Sequence, residues 1–136
     1  MIVDTSALIA VLAEEVGYKR LLVALLNEPV FLPAPAHLEF LSVARGARFD
    51  LGDQADALLA RLTRLGMEML PWNVRHATIA AEAQLRYGKG NGRGGVLNLL
   101  DLMVYAVAKE RGEALLFAGR DFTTTDVLVH PASRVD

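Results

Sequence analysis

The chain contains no cysteine, which excludes a disulfide framework and any thiolate metal site. Its three histidines, His37, His76 and His130, are scattered without zinc-ligand spacing, and each reads as a surface or satisfied core residue. No apolar run approaches the roughly 18 residues needed to cross a bilayer. The longest near the N-terminus, Ala7–Ala13, is preceded by Asp4 and not by a basic segment, which argues against a signal peptide and for a cytoplasmic protein with no membrane partner. A large excess of positive charge is also missing. The formal net charge is −2 and the pI about 5.9, a weak argument against a strongly nucleic-acid-binding surface. That argument loses force where an acidic pocket supplies the negative charge. A local basic rim remains available from Arg45, Arg48, Arg75, Arg86, Lys89, Arg93 and Arg120.

Several motifs are absent on closer reading. Ser6 has no Gly-x-Ser-x-Gly context and nothing points to a serine triad. Gly90–Gly95 spells a literal G-x-G-x-x-G, but it follows a long helical stretch, whereas a dinucleotide site needs it directly after a strand. The same segment lacks the Gly-Lys-Ser/Thr of a P-loop. It reads instead as a mobile loop that carries Lys89 and Arg93 and is suited to the phosphates of a polymer. Trp72, after Pro71, reads as a packing residue and not a base-stacking platform.

What the chain has is length and regular alternation. Its 136 residues make one domain, 1–136, able to bury a core without staples. Hydrophobic content is 53% and mean hydropathy +0.31, high enough that a partner subunit is expected to cover part of the surface. Short apolar strands are read at Met1–Asp4, Val30–Leu32, Met67–Leu70, Leu115–Ala118 and, at the sheet edge, Val127–Val129. Helices are read between them at Thr5–Ala13, Val16–Asn27, Pro33 to about Arg48, Asp53–Leu65, Val74–Tyr87 and from Asn98 to Arg111. Strands separated by helices imply parallel pairing with right-handed crossovers, hence a three-layer α/β/α sandwich with a central parallel sheet.

Four acidic residues fall at corresponding places in that alternation: Asp4, Glu39, Asp101 and Asp121. Each has a plain local reading. Asp4 suits a helix cap, Asp101 a capping pair with Asn98, Glu39 a solvated helix face and Asp121 a turn. Together they project to one edge of the sheet, outside the carboxyl ends of the strands, where α/β proteins bind ligands. Two such carboxylates about 5 Å apart repel by roughly 3 kcal/mol at an effective dielectric near 20. A hard divalent cation, Mg2+ or Mn2+, removes that cost.

At these residues the chain resembles the PIN-domain ribonucleases, and within them the VapC-type toxins of toxin–antitoxin pairs. Asp4-Thr5-Ser6-Ala7-Leu8 is similar to the family's opening Asp-x-Ser-Ala. Glu39 matches its second acidic position, and Leu97-Asn98-Leu99-Leu100-Asp101 followed by Tyr105-Ala106 resembles its Leu-Asn-x-x-Asp and Tyr-Ala. Leu116–Phe122 followed by Thr125-Asp126 resembles its Leu-x-x-x-Asp-Phe and Thr-Asp, and Tyr87-Gly88-Lys89-Gly90 the loop of one toxin subgroup. The chain departs at Leu100 and Leu102, where relatives commonly carry Gly and Cys or Ala.

The resemblance implies a PIN-like fold and metal-dependent endoribonuclease activity with Asp4, Glu39, Asp101 and Asp121 as catalytic residues. Asp4 and Asp101 would ligate the metal directly, with Asp121 in the ligand set. Thr5, Ser6, Thr125 and Asp126 would orient ligands or waters around them, and Lys89, Arg93 and Arg120 would contact RNA. It also implies a cognate antitoxin, a homodimer and hydrolysis that leaves a 5′-phosphate. Two other classes stay open: a non-catalytic PIN-like module that binds RNA or protein, and a small-molecule phosphatase. The phosphatase is disfavoured because Ser6 stands where an Asp-x-Asp motif needs its second aspartate.

Overall fold

A computed structural model describes residues 1–136. The chain runs β1 (Ile2–Val3), α1 (Thr5–Leu12), α2 (Tyr18–Asn27), β2 (Phe31–Pro33), α3 (Ala34–Arg45), α4 (Gly52–Arg64), β3 (Glu68–Leu70), α5 (Val74–Tyr87), α6 (Leu99–Arg111) and β4 (Leu115–Leu116). The four strands form one parallel sheet in the order β3-β2-β1-β4. Register pairs Ile2 with both Phe31 and Leu115, and Leu32 with Met69.

Burial explains the strand composition. β1 has neighbours on both sides, and Ile2 and Val3 are wholly buried, as are Leu115 and Leu116 of β4. Apolar residues on both faces are what a sheet covered by helices requires. Leu8, Leu21, Leu25, Phe40 and Leu62 bring α1 to α4 onto the same hydrophobic cluster of 30 buried residues. Two helix starts follow their sequence signals closely. Pro33 caps α3 and Pro35 sits in its first turn, where a missing N–H costs nothing. Asn98 caps α6 in a reciprocal box with Asp101, and Gly112 ends that helix in the left-handed region at φ 62°.

The direction of winding positions the site. From β1 the chain moves one way across the sheet, to β2 and then β3. It returns to place β4 on the opposite side of β1. The carboxyl ends of β1 and β4 therefore border the switch point, the usual ligand crevice of an open parallel sheet.

Two expectations need correction, and a third gains detail. α3 ends at Arg45, not near Arg48, because Gly46 turns extended (ψ 157°) and its carbonyl accepts from the Phe49 and Asp50 N–H groups. The strand expected at Val127–Val129 is reduced to an isolated bridge between Leu115 and Val129, with a second at Ala118 and Arg134. Pro131, which has no N–H to donate, lies between the two, so the C-terminal segment follows β4 only intermittently. The loop at Gly88–Gly95 is fastened at its base. The Lys89 N–H donates to Leu97 O (2.7 Å) and the Leu97 N–H to Tyr87 O (3.0 Å). A Cβ on Gly95 would collide with the Gly88 carbonyl oxygen, so only glycine permits this closure.

Phe40 is fully buried in the central cluster. Phe40→Ala is expected to lower the unfolding free energy by about 3–5 kcal/mol, measured by urea denaturation. A loss below about 1 kcal/mol would contradict this packing.

Candidate active site

A cavity of about 200 Å3 opens at the switch point, and Asp4, Glu39, Asp101 and Asp121 all line it, together with Thr5 and Ser6. Ile9, Val43, Ala118 and Phe122 supply its apolar wall. Residues from β1, α1, α3, α6 and the turn after β4 thus meet in one place, as the strand-end argument anticipates.

Helix capping sets two of the carboxylates. Asp4 leaves β1 and caps α1: its Oδ2 accepts from the Ser6 N–H (3.0 Å) and from the Ser6 hydroxyl (2.5 Å). Ser6 Oγ in turn accepts from the Ala118 N–H (3.0 Å), tying the end of β1 to the end of β4. Asp101 is the third residue of α6, and its Oδ2 accepts from the Asn98 N–H (3.0 Å) while the Asp101 N–H donates to Asn98 Oδ1 (2.8 Å). In both aspartates these hydrogen bonds engage Oδ2, and both residues line the cavity. Thr5 donates to Ala36 O (3.2 Å), which fastens α1 to α3, the helix that carries Glu39.

The electrostatics follow from burial and crowding. Asp4 is buried, and desolvation pushes its carboxyl up to about 6; the Ser6 hydroxyl and N–H pull it down, and Glu39 pushes it up again. Burial likewise pushes Asp101 up to about 7, against the Asn98 hydrogen bond, with the charges of Asp4, Asp121 and Glu39 adding to the rise. Asp101 therefore feels all three of the other carboxylates.

All the donors are oxygens, and the set carries more negative charge than it can hold comfortably, so its chemistry fits a hard divalent cation. Nowhere, however, do three or more His, Asp or Glu side chains converge closely enough to hold one ion between them. The expected ligand set of Asp4, Asp101 and Asp121 lines one cavity without meeting at one point. Capping fixes the first two, Asp121 is exposed on its turn, and like charges do not draw together unaided. Mg2+ suits such a site, because it commonly binds through one or two carboxylates and keeps several waters.

The remaining expected residues fall elsewhere. Thr125 Oγ1 donates to Phe122 O (2.8 Å) within its own turn. Asp126 lines a neighbouring cavity, where the Tyr105 hydroxyl (2.5 Å) and Lys109 Nζ (3.1 Å) hold it. Burial alone would raise the Asp126 pKa, but those two donors prevail and keep it below the ordinary carboxylate value. Arg93 lines that same second cavity, while Lys89 and Arg120 are exposed and make no ion pair. Sequence reasoning missed Tyr105 and Lys109 as partners of Asp126. The available signal was their spacing, since Asp101, Tyr105 and Lys109 recur every four residues on one face of α6. Also missed was an apolar groove of about 710 Å3 beside the acidic cavity, walled by Pro35, Leu38, Trp72, Leu100 and Met103 and reaching Glu39. Trp72 is a packing residue there, its indole N–H donating to Met103 O (3.0 Å). His76 and His130 are buried against Glu110 and Glu28.

The raised pKa values carry a definite sign. The ordinary value is 3.8, so the unfolded chain releases these protons before the folded one does. The stability that Asp4 and Asp101 contribute is complete below about pH 4 and is lost as pH rises through about 6 and about 7. In chelator, the melting temperature is expected to fall across that interval, and Asp101→Asn is expected to flatten the fall. A melting profile identical in wild type and variant would contradict the crowded-carboxylate description.

Comparison with known proteins agrees with the geometry. The family model for the PIN domain matches residues 1–128. Ribonuclease VapC42 of Mycobacterium tuberculosis is 38% identical over 129 residues, covering 93% of this chain and 96% of that protein. Among solved structures, the VapC20 toxin of Mycobacterium tuberculosis superposes with a TM-score of 0.72 at 18% identity, covering 93% of this chain and 95% of that one. A toxin–antitoxin complex from Klebsiella pneumoniae gives a TM-score of 0.68 at 18% identity, with 96% of each chain covered. The chain belongs to the PIN-domain family, and within it to the VapC ribonucleases.

Proposed function

We propose that this protein is a divalent-metal-dependent endoribonuclease, the toxin of a toxin–antitoxin pair. The observation that carries the reading is the cavity in which Asp4 and Asp101, both with raised pKa values, face Glu39 and Asp121. Asp4 and Asp101 would hold the ion directly, with Asp121 completing the set through a bound water. A bound Mg2+ or Mn2+ neutralises charge on the scissile phosphate and acidifies water.

The chain's own groups do the rest. Glu39 or Asp121 accepts the proton from the attacking water at a carboxylate oxygen. Ser6 holds Asp4 in its rotamer and fixes the turn that carries Asp121, so the two acids keep their spacing. Ile9, Val43 and Phe122 keep one wall dry, which strengthens the electrostatics inside. In-line attack leaves a 5′-phosphate on the product.

An antitoxin is the natural occupant of the apolar groove beside Glu39. The solved neighbour from Klebsiella pneumoniae is a toxin–antitoxin complex, which supports the assignment. Leu38 and Leu99, 69% and 74% exposed, are apolar area that such a partner, or a second copy in a homodimer, would cover. No helix is long and apolar enough to cross a membrane; the proposed RNA substrate would place the activity in the cytoplasm.

Purified protein is expected to cut RNA with Mg2+ or Mn2+ and to stop in EDTA. Asp4→Asn and Asp101→Asn are each expected to reduce cleavage by at least ~100-fold while far-UV circular dichroism is unchanged. Full activity in both variants would end the assignment. Expression without the antitoxin is expected to arrest growth, and co-expression to relieve it with recovery of a complex by size exclusion. A chain that is harmless alone would refute the toxin reading.

A further inference from the structure

A second cavity, about 500 Å3, lies between α5, α6 and the turn after Asp121. Its aliphatic lining is Ile79, Ala83 and Leu85, the last 63% exposed. Three cations reach it. Lys109 is paired with Asp126, but Arg86 and Arg93 have no carboxylate partner. The Arg86 guanidinium lies 5.0 Å from the centre of the Tyr87 ring, which braces it without neutralising it. Arg93 sits on the fastened loop: Asn91 Oδ1 accepts from the Arg93 and Gly95 N–H groups (2.8 and 3.2 Å), and Asn91 Nδ2 donates to Leu85 O (3.2 Å). The loop is thereby pinned to the end of α5, with its arginine held at the cavity. Glu82 lines the same cavity and offers an acceptor.

The two cavities adjoin. Asp101 lines the first and Tyr105 the second, one turn apart on α6, about 6 Å along the axis. Phe122 belongs to the first and Asp126 to the second, and Thr125 bonds back to Phe122 O (2.8 Å) within the same turn. A strand whose phosphate lies over the four carboxylates therefore brings a neighbouring nucleotide to the second cavity. Guanidinium groups match phosphate oxygens in pairs, an aliphatic lining suits the face of a base, and a carboxylate accepts from the exocyclic amine of cytosine or adenine.

We infer that this second cavity is a nucleotide subsite. It takes one residue of the RNA strand beside the scissile phosphate, with backbone phosphate on Arg86 and Arg93 and base over Ile79, Ala83 and Leu85. The inference rests on the ribonuclease reading and adds a place where substrate is gripped apart from the chemistry.

The test is steady-state cleavage of a short single-stranded RNA by wild type and by R86A, R93A and the double variant, at several salt concentrations. The double variant is expected to raise KM at least ~10-fold with kcat within about twofold. Its salt dependence should weaken by about 0.7 in log–log slope for each phosphate that the arginines no longer neutralise. Arg93→Ala alters an exposed loop side chain, so it reports even if Arg86→Ala perturbs α5. In wild type, an abasic nucleotide at one position flanking the cut is expected to lower kcat/KM, and that penalty is expected to shrink in Leu85→Ser. Unchanged KM and salt slope in the double variant, with wild-type cleavage intact, would overturn the subsite and leave the nuclease standing. Wild type that neither binds nor cuts RNA would overturn both.

Discussion

Two helix caps govern the site. Asp4 and Asp101 each use Oδ2 to accept from an N–H at the start of a helix, and that bond restrains the carboxylate. A helix start is a favourable place for an anion, because the peptide dipoles and free N–H groups there are positive. Burial works in the opposite direction, and the raised pKa values of both residues show that it wins. The fold therefore keeps two anions where neither is at ease, anchored firmly enough that neither can swing away. A cation is the natural relief, and the architecture that demands it is the same one that closes α1 and α6.

This explains why the local and the functional readings of the acids were never true alternatives. Read alone, Asp4 is a cap and Asp101 half of a capping box, and both descriptions hold. A cap engages one carboxylate oxygen and leaves the second available, so a residue can close a helix and face a pocket at once. The alternation of strands and helices was legible because β1 and β4 are buried on both faces and spell continuous apolar runs. The box at Asn98 and the stop at Gly112 were legible because capping is local chemistry. The departures share a cause. The end of α3 and the broken C-terminal pairing depend on single backbone positions, Gly46 and Pro131, whose effect periodicity does not register.

The second ring of the site was hidden for another reason. Asp126 follows Thr125 in a short motif, and the family resemblance implied that both serve the acidic pocket. The turn instead aims Asp126 at Tyr105 and Lys109. Which way a turn residue points is decided by its long-range partner, and here the partners were spaced along α6 in plain view. The loop at Gly88–Gly95 holds detail that its composition did not disclose. Its glycines suggested looseness, whereas Gly95 serves close backbone approach and Asn91 supplies the fastening.

The Ser6 hydroxyl accepts from the N–H of Ala118, a hydrogen bond between positions 112 apart in the chain. Because β4 and the turn bearing Asp121 follow every other element, a chain shortened before them lacks Ala118, Asp121 and Phe122 from its pocket. No such shorter chain can assemble the four carboxylates. The pocket is thus a property of the folded stretch from Asp4 through Phe122 and of no shorter piece of it.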